Sequence, residues 1–102
     1  MFKTAFTFSL QDSKTATPKY SKKLLRYAMN VLGVSGATWT AHTGGYTMDD
    51  GTAVIEPSYT LDTLTVEPIE PDKVRRLAEF IKQLENQESV LVEISTVSAQ
   101  FI

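Results

Sequence analysis

The sequence predicts an α+β sandwich in which two helices cover one face of an antiparallel sheet. Apolar residues that alternate mark four strands, and apolar residues spaced by three and four mark two helices. The elements follow the order strand, helix, strand, strand, helix, strand. Two split units of this kind build a ferredoxin-like βαββαβ fold with strand order 4-1-3-2. The length of 102 residues allows one domain, over residues 1–102.

The first strand covers residues 2–10, and the first helix starts at Pro18 after a polar loop over residues 11–17. Thr17 suits the N-cap and Pro18 the first helical position. Gly33 suits a left-handed C-cap. The residues expected in the core alternate along the strand and then recur at helical spacing: Phe2, Thr4, Phe6, Phe8, Leu10, Leu24, Leu25, Ala28, Met29 and Leu32.

The second and third strands, over residues 37–48 and 53–66, form a hairpin. Asp50-Gly51 predicts its tight turn, because glycine accepts a positive φ. The parity of the apolar residues changes at Gly44-Gly45, which predicts a bulge or a close approach of the backbone.

The second helix opens at residues 70–72, with Pro71 in its first turn, and ends at Asn86-Gln87. Its apolar stripe consists of Val74, Leu77, Ala78, Ile81 and Leu84. The fourth strand covers residues 89–94. In the predicted order, the second and fourth strands are the edges of the sheet.

Composition narrows the classes of function. The chain has no cysteine, so disulfides and thiolate metal sites are excluded. No apolar run approaches the roughly 20 residues of a membrane span, and no secretory signal is present, so we expect a cytoplasmic protein that makes no membrane contact. The net charge of -2 gives no support for nucleic-acid binding, which requires clustered basic residues.

The topology brings three connections to one pole of the molecule: residues 11–17, 47–52 and 85–89. Binding residues concentrate on loops that a rigid scaffold holds, so we expect a ligand or partner site at this pole. The alternative is that these residues are only solvated loops. The predicted site residues lie in these connections and in the hairpin strands below them: Ser13, Lys14, Gly45, Tyr46, Asp50, Glu56, Gln87, Glu88 and Ser89.

The sequence contains no recognisable catalytic set. His42 is the only histidine, and alone it cannot build a zinc site. Asp49 and Asp50 lack the spacing of a calcium loop. Glu56 and Glu88 have no fixed separation that would assign acid–base roles. We therefore predict no catalytic residue, no metal, no cofactor and no enzymatic activity, and the alternative is a small enzyme that uses Glu56, Glu88 or His42.

The segment from the hairpin to the fourth strand resembles a group of small bacteriophage and prophage proteins with no established activity. The resemblance spans roughly the last 60 residues. It is carried by Gly45, Tyr46, Asp50, Gly51, Glu56, Ser58, Gln87, Glu88 and Ser89. It implies a phage-encoded protein that acts in the cytoplasm of its host.

Small size and the polar pole then favour a non-catalytic accessory protein that binds a host or defence protein or a small nucleotide. The alternative is a homo-oligomeric structural or ligand-sensing module. The edge strand over residues 89–94 and the apolar end at Phe101-Ile102 favour pairing in a homodimer or higher homo-oligomer.

Overall fold

The structure is a computed structural model that describes residues 1–9, 18–85 and 89–102. Its elements are β1 (Phe2–Ser9), α1 (Pro18–Leu32), β2 (Thr38–Thr47), β3 (Ala53–Thr65), α2 (Pro71–Leu84) and β4 (Leu91–Thr96). The strands form one antiparallel sheet in the order β2-β3-β1-β4, which is the predicted order read from the other edge. The predicted ferredoxin-like fold is confirmed.

The core lies between the helices and one face of the sheet. Phe6, Leu61, Leu77 and Ile81 have no exposed surface. The predicted stripe of α1 is confirmed, since Leu24, Ala28 and Leu32 are buried and Leu25 and Met29 half-buried. Leu84 was expected in the core but is 48% exposed. It is the last residue of α2, and the chain turns there so that the next residue, Glu85, is buried instead.

The ends of the elements follow the predicted chemistry where the structure describes them. Gly33 has a φ of 68° after α1, and Gly51 a φ of 88° in the hairpin turn, and both values favour glycine. β4 starts at Leu91 rather than at Ser89. The predicted N-cap Thr17 lies outside the described residues.

Neither helix in the described part of the chain is long and apolar enough to cross a membrane.

The expected bulge at Gly44-Gly45 is absent, because the register of β2 and β3 runs unbroken from Thr38 opposite Asp62 to Thr47 opposite Ala53. The alternative, a close approach, is found. A Cβ atom on Gly44 would lie 2.8 Å from Ser58 Oγ, and one on Gly45 would lie 2.8 Å from Ile55 Cδ1. The strand therefore stays regular, and at this point its apolar residues move from one face of the sheet to the other.

The sheet face away from the helices, called here the open face, carries the other parity of each strand. On β1 these residues include Thr7 and Ser9, which pair with Thr60 and Ser58 of β3. Because side chains alternate between faces, Glu56 shares this face with Ser58 and Thr60. The open face is mainly polar and is where the structure concentrates groups able to bind a ligand.

Candidate functional site

A groove lies on the open face of the sheet beside Ser9, the last residue of β1. β1 pairs with β3 from Phe2 opposite Thr65 as far as Ser9 opposite Ser58. β2 and β3 stay paired beyond this point as far as their turn, and the paired residues 43–47 and 53–57 are called here the two-stranded arm. On the other side of β1, the pairing with β4 begins at Thr7 opposite Leu91. In the described part of the chain, the arm and the ends of β1 and β4 thus line a common groove.

We call it the strand-end groove. Its volume is about 370 Å³, which is within the roughly 300–1,000 Å³ typical of small-molecule sites. All four strands or their flanks contribute to its lining: Thr7, Phe8, Ser9, Gly44, Gly45, Tyr46, Glu56, Ser58, Ser89 and Leu91. A site built at the ends of several strands is held in place by the sheet itself.

Glu56 is the only charged residue among the described residues that line the groove. It is half-buried, and its Oε1 accepts a hydrogen bond of 2.8 Å from Ser9 Oγ. Gly44 lies directly opposite Glu56 on β2 and adds no side chain above it. A fixed carboxylate with open space beside it suits a cationic ligand.

Tyr46 adds an aromatic surface to the same groove. It lies two residues beyond Gly44 on β2, on the same face as Glu56, and is 55% exposed. Exposed aromatic rings bind flat ring systems and cations through their faces. The combination of Tyr46 and Glu56 therefore suits a ligand that joins an aromatic group to a positive charge.

A hydrogen-bonded row crosses the open face next to the groove. His42 Nε2 lies 2.8 Å from Thr60 Oγ1, and Thr60 Oγ1 lies 3.0 Å from Thr7 Oγ1. Thr7 also lines the groove, so the row connects His42 to its edge. His42 itself is exposed and is not part of the lining.

Beneath the groove, on the helix side of the sheet, aromatic rings pack around Trp39. Its centroid lies 5.7 Å from that of Phe8 and 5.3 Å from that of Tyr59. Tyr20 of α1 also contacts Trp39, and its hydroxyl donates a hydrogen bond to the buried Glu85 at the end of α2. Burial, followed by this hydrogen bond and the charge of Glu85, raises the pKa of Tyr20. These contacts join the start of α1 to the end of α2.

The structure brings together four of the predicted site residues and separates one. Gly45, Tyr46, Glu56 and Ser89 line the groove. Asp50 lies at the exposed hairpin turn, where its carboxylate accepts a hydrogen bond of 2.9 Å from the backbone N–H of Thr52, which lowers its pKa. Asp50 is therefore explained by the turn. Ser13, Lys14, Gln87 and Glu88 lie outside the described residues.

The predicted site did not include the other residues of the lining: Thr7, Phe8, Ser9, Gly44, Ser58 and Leu91. The alternation of β1 had already placed Thr7 and Ser9 opposite the core face, and the order of the strands placed them beside β3. What the pattern did not provide was the register, which decides that β1 ends beside Ser58 and not elsewhere along β3.

Comparisons with known proteins find similar folds among solved structures. No family model and no curated protein matches the chain. A phage SAM lyase in complex with S-methyl-5'-thioadenosine is 25% identical, with a TM-score of 0.67 over 92% of this chain and 79% of the lyase chain. CutA from Synechococcus elongatus is 11% identical, with a TM-score of 0.61 over 94% of this chain and 76% of CutA. A B. subtilis GlnK–ATP complex is 14% identical, with a TM-score of 0.59 over 92% of this chain and 78% of GlnK.

The likenesses to CutA and GlnK support the fold alone. The likeness to the phage lyase goes further, and it overturns the prediction of no enzymatic activity, because that relative is an enzyme. The prediction was wrong because it required a recognisable set of catalytic residues in the sequence. A groove with one carboxylate and one aromatic side chain leaves no such pattern. The expected phage accessory role fits this likeness in its broad form.

Proposed function

We propose that this protein is a phage-type lyase that cleaves S-adenosylmethionine (SAM) and releases S-methyl-5'-thioadenosine, with the strand-end groove as its substrate site. The observation that carries the proposal is a groove that combines Tyr46 and Glu56 in a chain similar over 92% of its length to a phage SAM lyase. SAM joins a purine to a sulfonium cation, which is the kind of ligand that this pair of side chains suits.

The roles of the lining residues follow from the chemistry of the substrate. Tyr46 would stack on the adenine, and Glu56 would lie beside the positive sulfonium. Gly44, opposite Glu56 on β2, places no side chain between Glu56 and the substrate. Ser58 and Ser89 would supply hydroxyl groups to the polar atoms of the ribose or of the amino-acid end.

Release of S-methyl-5'-thioadenosine defines the bond that breaks. The methyl group and the adenosyl group stay on sulfur, so the bond from sulfur to the γ carbon of the methionine moiety is cleaved, and its electron pair neutralises the sulfonium. The remaining four-carbon fragment forms a new bond at its γ carbon in one of two ways. It loses a β proton, with Glu56 as the base, or its own carboxylate closes on the γ carbon. An unsaturated amino acid or a lactone among the products distinguishes the two routes.

The test is to incubate the purified protein with SAM and to measure S-methyl-5'-thioadenosine by liquid chromatography. We expect turnover by the wild type and a fall in kcat/KM of about 100-fold for Glu56→Gln, the scale of a lost acid–base or electrostatic group. Glu93→Gln is the matched control, because Glu93 lies on the open face at β4, opposite Ala5, but does not line the groove. Absence of product with the wild type would refute the proposal.

The predicted partners change under this proposal. The adenosine-bearing substrate takes the place of the predicted small nucleotide, and the host-cell cytoplasm is the proposed location, since SAM is found there. A host or defence protein as partner, and membership of the phage and prophage group, stay predictions. An enzyme that consumes SAM can act on its host without a protein partner. Both predictions can therefore be tested separately from the activity.

We also propose that the chain self-associates. β4 is an edge of the sheet and exposes Leu91 and Ile94 by 57% and 60%, and the chain ends with the exposed Phe101 and Ile102. Unpaired apolar edge strands of this kind favour pairing with a second copy. Light scattering should give a mass of two or more chains, and Ile94→Lys should lower it. A strictly monomeric wild type at high concentration would contradict self-association.

A further inference from the structure

Ser9 is the last residue of β1, one of the two inner strands of the sheet. It pairs with Ser58, and Glu56 lies two residues further along β3. Glu56 thus belongs to the two-stranded arm and has β2 as its neighbour there. The hydrogen bond of 2.8 Å from Ser9 Oγ to Glu56 Oε1 connects the arm to the body of the sheet.

A glutamate in this position needs a constraint if it is to act on a ligand. Its side chain has three rotatable bonds, and Gly44 opposite it provides no side chain to pack against. Ser9 Oγ supplies the constraint, since a hydrogen bond to an ionised carboxylate is shorter and stronger than one between neutral groups. Among the described residues, the Glu56 carboxylate accepts its hydrogen bond from Ser9 at Oε1, and its second oxygen is an acceptor for a ligand in the groove that Glu56 lines.

We infer that Ser9 is a positioning residue, which orients the Glu56 carboxylate toward the positive centre of the substrate. In naming that centre as the sulfonium, the inference rests on the proposed function. Ser9 acts through Glu56 and does not itself take part in bond cleavage. Its hydroxyl therefore matters only while Glu56 is present.

A double-mutant cycle tests this dependence. Ser9→Ala should lower kcat/KM for SAM by about tenfold, a coupling within the range found for contacting residues. Ser9→Thr should restore most of the activity, because threonine keeps a hydroxyl at the same position. In the Glu56→Ala background, Ser9→Ala should cause no further loss. Ser95→Ala is the control, since Ser95 lies on the open face, opposite Lys3, outside the groove lining.

Equal losses from Ser9→Ala with and without Glu56 would overturn the inference and assign Ser9 a structural role only. A wild type that forms no S-methyl-5'-thioadenosine would refute the proposed function, and crystal structures of wild type and Ser9→Ala would then decide the role of Ser9 by themselves. We expect one ordered Glu56 rotamer in the wild type and more than one in the variant. An unchanged Glu56 side chain in the variant would overturn the inference whatever the activity.

Discussion

At the scale of single residues, the pair formed by the half-buried Tyr20 and the buried Glu85 holds two helix ends together. Glu85 is only 4% exposed, and Tyr20 donates a hydrogen bond to it from the first turn of α1. A carboxylate at this depth requires hydrogen-bond donors, since an unmatched buried acceptor costs free energy. The pair thus fixes the start of α1 relative to the end of α2, close to the aromatic cluster that lies under the groove.

We expect Tyr20→Phe to lower the free energy of unfolding by about 1–3 kcal/mol, because it removes a donor from a buried carboxylate. Chemical denaturation at neutral pH measures this loss. Tyr27→Phe is the matched control, since Tyr27 is 38% exposed and packs by ring stacking against Phe80. A loss no larger for Tyr20→Phe than for Tyr27→Phe would contradict the role of the pair.

The same pair predicts how stability depends on alkaline pH. The pKa of Tyr20 in the folded protein is raised above its ordinary value of 10.0, first by burial and then by Glu85. Folding therefore favours protonated Tyr20. Its contribution is fully present below about pH 10 and is lost as the pH rises through the folded-state pKa. The wild type should therefore lose more stability than Tyr20→Phe as the pH rises above about 10, the ordinary pKa of tyrosine. Parallel losses in thermal melts would contradict the assignment.

At the scale of elements, the sequence predicted more of the framework than of the site. Periodicity identified the six helices and strands that the structure describes, and Asp50-Gly51 and Gly33 marked the hairpin turn and the end of α1, because local conformation depends on nearby residues. The groove depends on register and on strand length, which long-range pairing decides. Ser9 and Glu56 are 47 residues apart in the chain, and no local pattern indicates that they meet.

The arm of β2 and β3 gives a prediction at this scale. A Cβ atom at Gly44 would lie 2.8 Å from Oγ and 3.4 Å from Cβ of the buried Ser58. Gly44→Ala should therefore displace Ser58 and the arm, with a loss of about 1–3 kcal/mol in stability and weaker binding of S-methyl-5'-thioadenosine by calorimetry. Gly36→Ala is the control, because a Cβ there meets nothing within 4 Å. Equal affinities for the two variants would contradict the importance of Gly44.

At the scale of the whole molecule, charge is divided between the helices and the rest of the chain. The two helices carry eight basic and two acidic residues, whereas the remaining sequence carries two basic and ten acidic residues. Among the described strand residues, the open face carries the acidic Glu56, Asp62 and Glu93 and the basic Lys3, so this face, which contains the groove, is acidic. This distribution would attract a cationic substrate toward the groove over distances limited by salt screening.

We expect the KM for SAM to rise several-fold as salt increases from about 0.01 M to about 1 M, since the screening length falls from roughly 30 Å to roughly 3 Å. The affinity for S-methyl-5'-thioadenosine, which is uncharged, should change little over the same range. Steady-state kinetics and calorimetry provide the two measurements. Equal salt dependence for both ligands would show that charge attraction plays no part in substrate binding.

The central claim is that the strand-end groove is the substrate site, and amide chemical-shift mapping with S-methyl-5'-thioadenosine tests it most directly. The ligand should shift amide signals within residues 7–9, 44–46, 56–58 and 89–91 and leave those at the opposite end of β2 in place. A second cavity there, lined in part by Gly36, Thr38 and Phe101, provides the internal comparison. Shifts confined to that second cavity, or no shifts at millimolar ligand, would contradict the account.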